Sequence, residues 1–190
     1  MRKVFVGFTA PKDLVPVATS IDELVIRHHG PVVRRTHPLH VTVMAPRMLT
    51  EHQYGELQAC VHECNAEFGA LFARVKGFAC YAHAQKMHLV TLLNGSRLCT
   101  AIDHFHQQLS TRLQFERRKH EGRSPHVTLL SSSHVGSHRL FELAKRDALN
   151  LELPREVVVP ELFVHVVKGR HLQQAPIVPK DEPVPTGWHP

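Results

Sequence analysis

The chain has 190 residues, 43% of them hydrophobic, enough for one compact domain or two fused half-domains around a buried core. Its formal net charge of +6 concentrates anions at the surface and favours phosphate-bearing partners over neutral ones. No run of about 18 apolar residues occurs and the opening MRKVFVGFTAPKD lacks a cleavable-signal pattern, so a membrane-spanning helix has no candidate and a cytoplasmic protein is expected.

In chain order, residues 3–9 (KVFVGFT) are rich in β-formers and end at Pro11, predicting a strand. Leu14, Val17, Ile21, Leu24 and Val25 recur at helical spacing, predicting a helix that ends near Gly30. Residues 39–45 (LHVTVMA) read as a second strand stopped by Pro46, and Thr50-Glu51 opens a helix with apolar Tyr54, Leu57, Val61, Cys64 and Phe68. Two strands follow, 71–79 and 87–93, joined by a polar loop. Asn94-Gly95 then marks a turn, with Ser96 as the cap of a helix carrying Leu98, Ile102, Phe105, Leu109 and Leu113. FERRKHEGR (115–123) reads as a mobile polar loop, 125–130 as a strand, and 137–149 as a short helix. β-rich segments lie near 155–159 and 161–167, and residues 176–190 form a Pro-rich extended tail. The order is that of an α+β protein with two similar halves in one domain over residues 1–175.

Four cysteines (Cys60, Cys64, Cys80, Cys99) show no CxxC spacing; Cys60 and Cys64, one helical turn apart, are expected as buried thiols on one helix face. The histidine-rich composition likewise gives no recognised ligand spacing, so no metal and no cofactor are expected.

The feature that carries chemistry is a repeated word. Pro38-Leu39-His40-Val41-Thr42-Val43 in the first half matches Ser124-Pro125-His126-Val127-Thr128-Leu129 in the second. Side chains alternate along a strand, so His40 and Thr42 share one face and Val41 and Val43 the other, as do His126 and Thr128 against Val127 and Leu129. Each strand buries its aliphatic face and presents an imidazole and a hydroxyl to a cleft. Two such strands suit displacement at phosphorus: one imidazole takes a proton from the attacking oxygen, the other gives one to the leaving oxygen, and two hydroxyls hold the non-bridging oxygens. With 17 His in the chain, chance alone produces about one His-x-Thr triplet; the shared Val, the following aliphatic residue and the strand context make the pair more than that.

This paired word, with the opening strand KVFVGF and the GFACY segment at Gly77–Tyr81, resembles the two-histidine (2H) phosphoesterase superfamily over about residues 2–175. The superfamily includes 2′-5′ RNA ligase-like proteins and RNA 2′,3′-cyclic phosphodiesterases. The resemblance implies a bilobal two-lobe fold with a pseudo-twofold, antiparallel sheets lining a central cleft and helices packed outside. It also implies a metal-free phosphodiesterase acting on a nucleotide or RNA with a cyclic phosphate end; separately, a monomer is expected. In it His40 is the proton donor to the leaving oxygen, His126 the base, and Thr42 and Thr128 bind phosphate. The chain departs from the RNA-ligase-like pattern at Ala45-Pro46-Arg47 and Leu130-Ser131-Ser132, where Phe-Leu-Gly and an Arg are common. Arg47 is then the candidate cation for substrate, with Arg34, Arg35, Arg117, Arg118, Lys119 and Arg123 as basic residues near the motifs. Phe8, Phe78 and Tyr81 are candidates to stack on a base. The competing expectation is a non-catalytic RNA or nucleotide binder of the same fold.

Overall fold

The structure, a computed structural model, describes residues 1–30, 38–83, 85–119, 121–122, 124–168 and 171–174. Arg34, Arg35, Arg123 and the tail 176–190 lie outside the described residues.

The elements in chain order are β1 (Arg2–Thr9), α1 (Leu14–His29), β2 (His40–Leu49), α2 (Glu51–Phe68), β3 (Leu71–His83), β4 (Lys86–Asn94) and α3 (Ser96–Leu113). They continue with β5 (His126–Ser131), α4 (Ser132–Val135), α5 (His138–Ala148), β6 (Glu156–Val159), β7 (Leu162–Lys168) and β8 (His171–Gln174). The described strands form one antiparallel sheet in the order β6-β3-β4-β5-β2-β1-β7-β8. Counted outward from the central β5/β2 pair, the two sides mirror each other: a motif strand, a strand beside it, then two more. Helices cross between the halves, α2 packing on α3 and α1 on α5 and β5, so both halves share one core.

The helices form for the reasons their spacing gives. All five apolar positions expected on the third helix are buried, together with Ala101 and His106. Thr50 closes a full capping box with Gln53 at the start of α2, satisfying two of the helix's orphan N–H groups. Cys60 and Cys64 lie buried on α2 (0 and 1% exposed), and burial pushes their thiols up to about 11 and about 12.

Four expectations are corrected. β2 does not stop at Pro46 but runs to Leu49. Its pairing with β1 shifts between Val4↔Arg47 and Val6↔Met44, so Pro46 sits in an irregularity where the ladder asks for no N–H. The cap of α3 is Gly95, not Ser96; a Cβ at Gly95 would stand 2.6 Å from the Phe72 carbonyl oxygen, and that close approach sets the residue. The described residues of 115–123 are not the free loop that polarity suggests, because Glu121 is buried and bonded to β2. Finally, α4 and β8 have no counterpart in the expected elements; four residues each carry too short a pattern to read.

Candidate active site

The two halves meet where the repeated words lie. β2 and β5 pair antiparallel through Val41↔Val127, both fully buried. That register sets residue 40 opposite 128 and residue 42 opposite 126. The four polar side chains therefore occupy the corners of a rectangle on the face away from the valines, histidines on one diagonal and threonines on the other. All four are half-buried. Diagonal neighbours across a strand pair stand about 7–8 Å apart, room for a phosphate between two ring tips.

The imidazoles are held alike. Nδ1 of His40 lies 2.8 Å from the Pro38 carbonyl oxygen, and Nδ1 of His126 lies 2.7 Å from that of Ser124. A carbonyl only accepts, so each Nδ1 carries the proton, and Nε2 is the basic nitrogen of the neutral ring. Each motif thus fixes its own tautomer through the backbone two residues earlier. The arrangement lets either ring take or give a proton at Nε2.

β1 makes the close approach possible. Gly7 stands opposite Thr42 and Thr9 opposite His40. A Cβ at Gly7 would lie 2.6 Å from the carbonyl oxygen of Val41, the residue between His40 and Thr42.

The flanks differ. Beside His40 stand Phe5 (centroids 4.9 Å, tilted) and, across β1 in register with Phe5, His165 (6.2 Å). Beside His126 stands Tyr81, edge-on at 5.3 Å and 36% exposed. Tyr81 is the expected stacking residue that the structure brings to a motif. Phe8 is not: it is 1% exposed, opposite Val41 on the core side, with its ring facing away from the imidazoles. Phe78 is partly buried against the same core.

Arg47 is held by Glu121. Its Nη2 donates to Glu121 Oε2 at 2.9 Å and to the Glu116 carbonyl at 2.8 Å, and its guanidinium lies over the Phe115 ring. Glu121, 3% exposed, also accepts from the backbone N–H of Ala45 and of Arg118, both at 2.8 Å. Its carboxylate thus continues the join between the halves where the β2/β5 ladder has ended. Arg117 serves the same loop, donating to Asp103 Oδ1 at 2.6 Å and to the Glu121 carbonyl at 2.7 Å. Arg118 and Lys119 are exposed.

Sequence reasoning missed Phe5, Gly7, Glu121 and His165 as neighbours of the site. The signal for His165 was present: a lone histidine in the apolar run LFVHVV. Among the described residues no three His, Cys, Asp or Glu side chains are grouped to hold a metal ion, and no helix is long and apolar enough to cross a membrane.

An antiparallel sheet folded about a pseudo-twofold, with a His-x-Thr strand from each half at its centre, defines the class of two-histidine phosphoesterase folds. The family model of the 2′-5′ RNA ligase superfamily matches residues 13–169, and the chain belongs to that superfamily. Membership supports phosphoesterase or RNA-processing chemistry. Solved structures agree on the fold. The TT0787 protein of Thermus thermophilus is 13% identical, with 91% of this chain and 93% of that one covered at a TM-score of 0.63. LigT of E. coli, solved with 3′-AMP, is 13% identical, with 93% and 95% covered at 0.52. Usb1 of Kluyveromyces marxianus is 13% identical, with 92% and 96% covered at 0.51. No curated protein matches by sequence.

Proposed function

We propose that the protein hydrolyses a 2′,3′-cyclic phosphodiester, on an RNA end or a small nucleotide, to a monoester without a metal ion. The observation that carries this reading is the diagonal pair of identically tethered imidazoles, His40 and His126, flanked by two hydroxyls. Thr42 and Thr128 hold the non-bridging oxygens as charge builds on them. One Nε2 draws the proton from water while the other, protonated, supplies the leaving ribose oxygen, so phosphorus exchanges one P–O bond for another and the pair ends with its proton exchanged. By the family likeness His40 is the donor and His126 the base. Tyr81, exposed beside His126, offers the nucleobase a ring to stack on.

The test is turnover of 2′,3′-cyclic nucleotides in the presence of chelator. Activity is expected to persist with EDTA and to fall by about 10² to 10⁴-fold in His40→Ala and in His126→Ala, with the fold retained. Chelator-sensitive turnover, or variants as active as the parent, would sink the proposal. The alternative, a nucleotide binder without turnover, is supported by LigT having been solved with 3′-AMP. Its mark would be salt-sensitive nucleotide binding with no product formed and no dependence on either histidine.

A further inference from the structure

The mechanism uses two histidines, yet a third lies beside them. His165 is on β7, in register with Phe5 of β1, and only 3% exposed. Its ring stacks on that of Phe5 with centroids 4.5 Å apart and planes 7° from parallel. Phe5 is itself 3% exposed, and its ring in turn abuts His40. Regular alternation along β1 puts Phe5 on the same face as Gly7 and Thr9, the face that carries His40 and Thr42. The stack therefore stands on the chemical side of the sheet, not in the core beneath it.

Packing alone does not ask for an imidazole here. A leucine or phenylalanine would cover Phe5 as well; an imidazole adds a titratable ring with its centroid 6.2 Å from that of His40. On the His126 flank the register-equivalent positions are His88 of β4 and Tyr81 of β3, and there the tyrosine, edge-on and 36% exposed, is the ring against the imidazole. The two flanks thus differ in exposure: beside His40 the pair is buried, Phe5 and His165 both at 3%, and beside His126 the tyrosine is open to solvent.

We propose that His165 is a positioning residue for His40. With Phe5 it walls one side of the His40 ring, while the Pro38 carbonyl holds its edge, and its own imidazole sets how readily His40 takes a proton. Among the described residues, Phe5 from β1 and His40 from β2 have rings against His165, Gln174 of β8 lies in register with it, and α2 reaches β7 through Asn65 at Leu162; of these four, His40 titrates. Two imidazoles 6.2 Å apart oppose each other's charge, so their proton uptake is shared across the pair. The kinetic part of this inference rests on the proposed phosphodiesterase reading; the titration part does not.

The experiment is a titration of the His40 ring protons by NMR in the parent and in His165→Phe, beside kcat and KM for a 2′,3′-cyclic nucleotide. In the variant the His40 midpoint is expected to move up, with the curve steepening to that of a single site. kcat is expected to fall about tenfold with KM changed less than about twofold, smaller than the loss from removing a group that transfers the proton itself. An unchanged His40 titration overturns the inference, and so does a rise in KM at constant kcat. If neither protein turns over any cyclic nucleotide, the enzymatic reading fails while the titration still decides the role of His165. Should His165→Phe not fold, His165→Gln, which keeps a buried polar group without a titrating ring, is measured in its place with the same expectations for the His40 midpoint.

Discussion

Between His40 and Thr42 the chain is held from three sides: by the Pro38 carbonyl at the ring edge, by Val127 across the join, and by Gly7 from β1. Gly7→Ala is the sharpest test of that placement. The new methyl meets backbone rather than a yielding side chain, so β2 must shift, and if His40 acts as proposed, a misplacement on that scale costs roughly 10²-fold in kcat. Steady-state kinetics should show that loss together with a lowered Tm. Gly55→Ala is the control: it lies within α2 with no atom within 4 Å of the added Cβ, and should be neutral or stabilising by about 0.5–1 kcal/mol. At the His126 end, Tyr81→Ala should raise KM about tenfold or more for nucleotides and leave kcat nearly as it was, since stacking on a base is worth roughly 1–3 kcal/mol. A KM within twofold of the parent would remove Tyr81 from the binding surface.

At the scale of elements, α3 and the loop after it dock on β2 through polar groups. His106 donates from Nε2 to the Val43 carbonyl at 3.0 Å. Burial first, then the Arg117 charge, holds its pKa below the ordinary 6.5. Below 6.5 the unfolded chain binds a proton at this position that the folded chain refuses, so stability falls as pH drops from about 6.5 to the lower folded value and is flat beneath it. Urea unfolding across that window should show the slope, and His106→Asn should flatten it. Glu121→Gln strips the charge from a buried pair and leaves Arg47 uncompensated, a loss of about 3–5 kcal/mol by the same measurement. These contacts mark the limit of what the sequence made legible. The helical stripes of α1, α2 and α3 and the faces of the two motif strands follow from local periodicity, and they were readable. Glu121 reaching Ala45, or Phe5 reaching His165, depends on strand order and register over long separations, which no local pattern records. A charged loop reads as solvated until the partner of its one buried carboxylate is known.

For the whole molecule, the sheet passes from one half to the other at the pair Val41 and Val127. Truncating either to Ala should cost about 2 kcal/mol or more, and because they touch, the double variant should depart from additivity by about 0.5–3 kcal/mol. The net charge of +6 bears on encounter: KM for an oligonucleotide ending in a cyclic phosphate should rise with salt much more steeply than KM for a mononucleotide. Equal salt dependence would mean that the positive surface does not track the chain.

Because each imidazole is tethered by its own strand, neither needs a carboxylate or a partner ring to choose its tautomer. In the proposed reaction the four central groups consequently carry no arrow: reading it forwards or backwards only exchanges which ring gives and which takes. What distinguishes making a bond from breaking one must then lie in the unlike walls, a closed stack on one side and an exposed tyrosine on the other. Selection could redirect such a catalyst by altering its margins while leaving its centre untouched.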